Sequence, residues 1–117
     1  MTPASDGGAS SKRVKRAPRV AGPFQGRRLG AISTDLTIHD LSLTGCLIES
    51  FHDVQVGRRM TIEIDLPSEA TVRLEAESVN TRPNFGFAVK FLDMTPQVRV
   101  HLARTVFTRL TKAKSAK

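Results

Sequence analysis

The sequence predicts a mainly β domain, a small antiparallel barrel or sandwich, that ends in a single α-helix. Apolar and polar residues alternate along several short segments between about residues 24 and 94, and turn residues separate these segments. The pattern changes once, at Thr95 and Pro96, to apolar residues that recur every four positions. With 117 residues the chain is long enough for one domain of ordinary size. No helical pattern separates the strands, which favours antiparallel pairing.

Two short strands are predicted before residue 51. They are Asp35–His39 and Cys46–Ser50, with Gly45 in the turn between them. Cys46 is followed by Leu47 and Ile48 and has no obvious base as a neighbour. It is therefore predicted to be a buried structural thiol and not a nucleophile.

Three further strands are predicted at residues 60–66, 71–77 and 85–91. In each of them every second residue is apolar, so one face of the strand is expected to point into the core. The predicted inward-facing side chains are Met60, Ile62, Ile64, Leu66, Val72, Leu74, Ala76, Phe85, Phe87, Val89 and Phe91. Gly57, Pro67, Pro83 and Asn84 supply the breaks between the strands.

A helix is predicted over about residues 96–111. Thr95 is a favourable N-cap, and proline is tolerated at the first helical position because its missing N–H would have no partner there. The predicted buried stripe is Val98, Leu102, Val106 and Leu110, widened by Ala103 and Phe107. The helix is expected to pack on the outside of the sheet or over one of its ends.

The charge is concentrated at the two ends of the chain. The net charge is +7, yet residues 31–96 contain five basic and ten acidic side chains. Residues 1–30 contain seven basic side chains and one acid, and residues 97–117 contain six basic side chains and no acid. Residues 1–18 are predicted to be a flexible basic arm, 19–112 the folded domain and 113–117 a basic tail. A positive net charge favours an anionic partner.

Several classes of protein are disfavoured. No apolar run reaches even ten residues, so neither a transmembrane helix nor a signal peptide is expected, and the protein is predicted to be cytoplasmic. One cysteine and three scattered histidines provide neither a disulfide framework nor a common zinc motif. His39, Asp40 and Ser42 are the residue types of a catalytic triad, but neighbours on a strand point to opposite faces. We therefore expect no enzymatic activity, metal or cofactor.

Two short motifs occur at an informative spacing. Residues 40–45 are DLSLTG, a D-x-S-x-x-G sequence, and residues 15–19 are KRAPR, a basic segment that ends 21 residues before Asp40. Alone, the first is typical of a turn and the second of a solvated linker. Together they resemble the signature of the PilZ domain, R-x-x-x-R followed some twenty residues later by [D/N]-x-S-x-x-G. The resemblance covers about residues 15–110, including Gly22-Pro23-Phe24, the strand at 86–91 and the final helix.

The resemblance implies a six-stranded antiparallel barrel, at about residues 22–94, followed by a helix. It also implies that the chain binds the bacterial second messenger cyclic di-GMP, which has two phosphodiesters and two guanines. The implied ligand-binding residues are Lys15, Arg16, Arg19, Asp40, Ser42 and Gly45.

The chemistry of these residue types suits such a ligand. A guanidinium can form a two-pronged contact with a phosphate or with guanine O6 and N7, and it can stack on a purine. A carboxylate such as Asp40 accepts from guanine N–H groups, a hydroxyl such as Ser42 forms a hydrogen bond, and Gly45 permits close approach. The chain departs from the signature at Lys15, which stands at the first arginine position, although Arg16 is adjacent. Arg27 and Arg28 are additional candidates.

We expect a stand-alone, non-enzymatic receptor that binds cyclic di-GMP where the arm meets the barrel. Ordering of the arm by the ligand would then signal to a protein target, which the sequence does not name. The resemblance implies roles in motility or biofilm formation. One alternative is an interaction adaptor of the same fold that does not bind the nucleotide. Another, nucleic-acid binding through the basic ends, is disfavoured by the acidic middle of the chain.

Overall fold

The computed structural model describes residues 17–52, 54–67 and 69–115, with side chains described as far as residue 112. Six strands are followed by one helix in the described residues. They are β1 (Phe24–Leu29), β2 (Thr34–His39), β3 (Gly45–Glu49), β4 (Arg59–Asp65), β5 (Thr71–Arg82), β6 (Gly86–Phe91) and α1 (Pro96–Ser115).

The strands close into an antiparallel barrel in the order β1-β2-β3-β6-β5-β4, with β4 returning to β1. The predicted six-stranded barrel followed by a helix is confirmed, and closure excludes the open sandwich. Closure leaves the barrel with no unpaired edge strand, which removes a surface on which further strands could add.

The core consists of the inward-facing residues that strand alternation predicts. Ile62, Ile64 and Leu74 are fully buried, and Phe87 and Val89 are buried with them. The prediction fails at the two ends of the last stripe, where Phe85 and Phe91 are half-buried. Phe85 lies just outside β6, and its ring packs against the ring of His39 with 5.6 Å between centroids.

Strand β5 is longer than the predicted 71–77. The alternation of apolar residues stops at Ser78, yet this serine is fully buried, and the strand continues past an irregularity between Ser78 and Asn80. The Ser78 hydroxyl contacts the carbonyl oxygen of Gln55 and accepts from the N–H of Arg58 at 3.0 Å. Because both of its hydrogen-bonding functions are satisfied, a polar residue occupies a core position that pattern alone would not assign to it.

Helix α1 begins as predicted, since the Thr95 hydroxyl accepts from the N–H of Val98 at 3.2 Å. Leu102 and Val106 are buried against the barrel. The prediction that Phe107 widens the buried stripe is wrong, because Phe107 is 70% exposed and Thr105 is buried instead. Val98 and Leu110 are partly buried against the core as predicted, so the stripe of α1 that faces the barrel consists of residues 98, 102, 105, 106 and 110.

Arg109 fastens the helix to the start of β1. Its guanidinium donates to the carbonyl oxygen of Ala21 at 3.2 Å, and its central carbon lies 4.6 Å from the centroid of the Phe24 ring. This contact holds the chain that enters the barrel close to the C-terminal half of the helix.

Candidate functional site

A small bridge joins the chain before β1 to the loop between β2 and β3. The N–H of Val20 donates to the carbonyl oxygen of Leu41, and the N–H of Leu41 donates to that of Val20, both at 2.9 Å. Both side chains are buried and anchor the pair in the core. The bridge brings Arg19, which precedes Val20, to the same surface as Ser42, which follows Leu41. Two segments 21 residues apart in sequence therefore meet at one place.

A cleft of about 280 Å³ opens on the barrel surface at this place. Four of the predicted site residues line it: Arg19, Asp40, Ser42 and Gly45. Its other walls come from the outward-facing sides of β3, β5 and β6. The structure thus brings together these four residues of the two predicted motifs.

The cleft combines three cationic side chains with one carboxylate among its described lining residues. Arg19, Arg82 and Lys90 are exposed to solvent, and Asp40 is half-buried beside them. Val79 and Leu47 add an apolar wall. The excess of positive charge suits an anionic ligand, the carboxylate provides an acceptor for N–H groups, and the apolar wall provides a surface for a flat ring.

Asp40 occupies a turn in the backbone at the end of β2. Its φ is 47°, in the left-handed region that aspartate and asparagine tolerate better than most residues. This conformation directs the chain out of β2 and into the loop that forms the floor of the cleft. The backbone conformation by itself therefore favours a short polar residue at position 40.

Ser42 shapes the same loop from within. Its hydroxyl oxygen accepts from the N–H of Thr44 at 3.1 Å and of Gly45 at 3.2 Å, and it donates to the carbonyl oxygen of Gly45 at 3.1 Å. A serine hydroxyl has one proton and two lone pairs, so these contacts use its full capacity. Ser42 is also only 4% exposed. These hydrogen bonds indicate that Ser42 holds the conformation of the loop of residues 40–45.

Gly45 is required by the barrel. A β-carbon at this position would lie 2.2 Å from the carbonyl oxygen of Val89 on β6, far closer than such atoms approach each other. In the register Gly45 pairs with Lys90, so the missing side chain lets β3 and β6 come together at the edge of the cleft.

Other predicted candidates do not reach the cleft. Lys15 and Arg16, with the rest of residues 1–16, lie outside the described residues. Arg27 donates to Glu63 at 2.9 Å and to Asp65 at 2.8 Å on the outer face of the barrel, and hydrogen bonds from Arg27 and Arg73 hold the pKa of Glu63 below its usual value.

Arg28 lines a separate pocket of about 220 Å³ together with His52, at the end of the barrel where β1 meets β2. Arg28 is therefore away from the cleft. It pairs with Thr34 at the start of β2, whereas the loop of residues 40–45 follows the other end of β2.

Cys46 is buried as predicted, and burial raises the pKa of its thiol well above the usual range, which disfavours a nucleophilic role.

Two cations of the cleft, Arg82 and Lys90, were not predicted from the sequence. The alternation of residues 86–91 does show that Lys90 faces outward. However, only the pairing of β6 with β3 and β5 brings Lys90 next to Gly45 and opposite Glu77, and no local pattern encodes that pairing.

The model of the PilZ domain family matches residues 10–108 of the chain. The chain belongs to the PilZ domain family. This match spans the cleft, the whole barrel and most of α1. No curated protein sequence matches the chain significantly.

Solved PilZ structures share the fold. The PilZ domain of YcgR from Escherichia coli with c-di-GMP superposes with a TM-score of 0.67 at 20% identity, over 87% of this chain and 95% of that one. A structure of YcgR from Escherichia coli in complex with c-di-GMP gives a TM-score of 0.72 at 23% identity, over 87% of this chain and 48% of that one. The chain thus spans about half the length of that YcgR chain.

Proposed function

We propose that this PilZ domain is a non-enzymatic receptor that binds cyclic di-GMP in the cleft. The observation that carries the proposal is the Val20–Leu41 bridge, which places Arg19 against the loop of residues 40–45. Family membership and the two similar YcgR structures, both with c-di-GMP, support the choice of ligand.

Arg19 and Asp40 are assigned the recognition of guanine and phosphate. Arg19 is exposed at the mouth of the cleft, so its guanidinium can contact either a phosphate or the O6 and N7 atoms of a guanine. Asp40 accepts from the guanine N1–H and exocyclic amine, a pair of donors that adenine lacks. Together they select a guanine nucleotide over an adenine nucleotide.

Arg82 and Lys90 add positive charge on the barrel wall. Both are exposed side chains on the cleft, where they attract the phosphodiester groups of the ligand. Val79 and Leu47 offer an apolar surface to the face of a purine. Ser42 contributes by holding the conformation of the loop through its hydrogen bonds. Gly45 contributes by allowing β3 and β6 to approach each other closely.

Lys15 and Arg16 complete the proposed site from the arm. The cleft of about 280 Å³ is slightly smaller than the roughly 300–1,000 Å³ usual for ligand pockets. A dinucleotide with two charges and two bases therefore needs further contacts, and the basic residues that precede Ala17 are the nearest in sequence to the cleft. Binding would join the arm to the barrel and change the surface that a protein target meets.

Cyclic di-GMP is expected to raise the melting temperature of the protein. A ligand that binds only the native state stabilises it by about 2.7 kcal/mol at one hundred times its dissociation constant. Each kcal/mol raises the melting temperature of a small domain by about 4–8 °C, so a shift of roughly 10–20 °C is expected near saturation. Differential scanning fluorimetry with cyclic di-GMP measures it, with GTP, GMP and cyclic di-AMP as controls.

The same measurement separates the receptor from the adaptor. Lys15 in place of the first arginine of the signature is the observation that favours an adaptor that binds no nucleotide. Absence of any shift at millimolar cyclic di-GMP would favour the adaptor, and equal shifts with GTP would show binding of phosphate without recognition of the dinucleotide.

The register of the arm on the ligand can be tested at positions 15 and 16. If Lys15 occupies the first arginine position, Lys15→Arg should tighten binding because it restores the planar fork, while Arg16→Ala should have little effect. If Arg16 has taken that position, Arg16→Ala should weaken binding severely and Lys15→Arg should be neutral. Isothermal titration calorimetry of both variants distinguishes these outcomes, and no effect of either change would exclude the arm from the site.

A further inference from the structure

Helix α1 carries an apolar strip on the side that faces solvent. Val100 is 45% exposed and Phe107 is 70% exposed. They are seven residues apart and so lie on one face of the helix, with Ala103 between them. We call Val100, Ala103 and Phe107 the outer strip. The side of α1 that packs on the barrel is formed by other residues, Leu102, Thr105 and Val106.

The surroundings of the outer strip are positively charged. The helix sequence contains five basic residues and no acidic residue, and of the five Arg109 packs against Phe24 on the barrel side. Arg99, Arg104 and Lys112 are exposed. The carboxylate of Glu69 contacts the helix at His101, at 2.7 Å, and at Arg104, at 3.8 Å. A surface that is apolar along its centre and cationic at its margins is complementary to an anionic apolar partner.

The positive charge around the outer strip favours some binding partners over others. A second copy of this chain docked through the same strip would bring two sets of arginines together, and like charges oppose that association. An anionic lipid bilayer supplies both phosphate groups for the cations and an apolar layer for Phe107 and Val100. Among the described residues, no helix is long and apolar enough to cross a bilayer. The contact would therefore be with the surface of the bilayer alone.

We propose that the outer strip of α1 and its flanking cations dock this domain onto an anionic membrane surface. The helix would lie in the plane of the interface, with Phe107 inserted between headgroups and Arg99 and Arg104 on phosphates. The opposite side of the helix stays packed on the barrel, so docking requires no unfolding. The cleft is formed by β3, β5, β6 and the loop of residues 40–45, and the inference therefore does not depend on the ligand proposed for it.

Co-sedimentation with vesicles tests this proposal. The full chain, without added nucleotide, is expected to pellet with vesicles of equal parts phosphatidylglycerol and phosphatidylcholine and to stay in solution with phosphatidylcholine alone. Pelleting should decrease at about 1 M salt, where the Debye length has fallen to about 3 Å. Phe107→Ser should weaken the association about tenfold, because the variant cannot insert a phenyl ring into the apolar layer.

The chain offers matched controls for both parts of the surface. Phe51 is an exposed phenylalanine on the loop between β3 and β4, at 103% exposure, so Phe51→Ser makes the same chemical change far from α1. The double variant Arg99→Gln, Arg104→Gln removes two exposed cations beside the outer strip. Its control is the double variant Arg58→Gln, Arg59→Gln, which removes two exposed cations outside α1. Melting temperatures of all variants check that each one folds.

Three results would overturn the proposal. The first is failure to pellet with the anionic vesicles at low salt, which would leave the outer strip to a protein partner. The second is pelleting that Phe107→Ser does not change, since that would show attraction by charge alone, for which the basic arm suffices. The third is an equal loss with Phe51→Ser, which would place the contact outside α1.

Discussion

Arg19→Ala is expected to cause the largest loss of cyclic di-GMP affinity of any single change in the described residues. Arg19 stands beside the loop of residues 40–45 at the mouth of the cleft. Removing a hydrogen bond to a charged group typically costs about 1.5–3 kcal/mol, which corresponds to a loss of roughly 10- to 150-fold in affinity. Isothermal titration calorimetry measures the loss directly.

Two further variants show whether the effect is specific. Arg19→Lys keeps the charge but has no planar fork, so it should fall between the parent and Arg19→Ala. Arg28→Ala removes an arginine that lines a pocket at the other end of the barrel and should bind like the parent. Because Arg19 is exposed, its removal should change stability by less than about 0.5 kcal/mol. If Arg19→Ala binds like the parent, or if Arg28→Ala loses as much, the cleft is not the site.

Gly45→Ala is expected to destabilise the fold itself. The added methyl group would lie 2.2 Å from the carbonyl oxygen of Val89, so β3 and β6 must separate to accept it. Forcing atoms into a packed region costs about 1–3 kcal/mol or more, and a backbone atom in the way places this change at the upper end. A fall in melting temperature on the order of 15 °C is therefore expected by calorimetry or circular dichroism.

Gly30→Ala provides the matched comparison. A β-carbon at Gly30 would meet only the carbonyl oxygen of Ile32, at 3.8 Å, in the exposed turn between β1 and β2. That change should be neutral or stabilise the protein by up to about 1 kcal/mol, because alanine restricts the unfolded chain. A Gly45→Ala variant that is as stable as Gly30→Ala but does not bind cyclic di-GMP would show that Gly45 serves the ligand and not the strand contact.

Local patterns in the amino-acid sequence were sufficient for five of the strands and the helix, whereas β1 and the six-stranded barrel followed only from the resemblance to the PilZ domain. Alternation along residues 60–66 and 71–76 identifies the inward-facing side chains of β4 and β5, and Thr95 with Pro96 marks the start of α1. Each of these signals depends on neighbours within one strand or one helical turn, where periodicity follows directly from backbone geometry. The paired motifs around Arg19 and Asp40 likewise identified the two segments that meet at the cleft.

Local patterns failed where a tertiary contact outweighs them. Ser78 interrupts an apolar alternation, yet it is buried because Gln55 and Arg58 satisfy its hydroxyl. Phe107 fits the spacing of the buried stripe of α1, yet it faces solvent because the barrel meets the helix along Leu102, Thr105 and Val106. The width of a buried stripe depends on the curvature of the surface that covers it, which the helix sequence does not contain.

The sequence by itself determined a mainly β domain with a C-terminal helix, and its resemblance to the PilZ domain implied six strands and a group of site residues. That group is Lys15, Arg16, Arg19, Asp40, Ser42 and Gly45. Only the tertiary structure decided what the last four of them contact. It placed Arg82 and Lys90 on the same cleft, occupied the Ser42 hydroxyl within its own loop, and showed that Gly45 accommodates Val89 of β6. The reason is that these relations cross between strands far apart in the chain, and pairing registers arise from closure of the whole barrel.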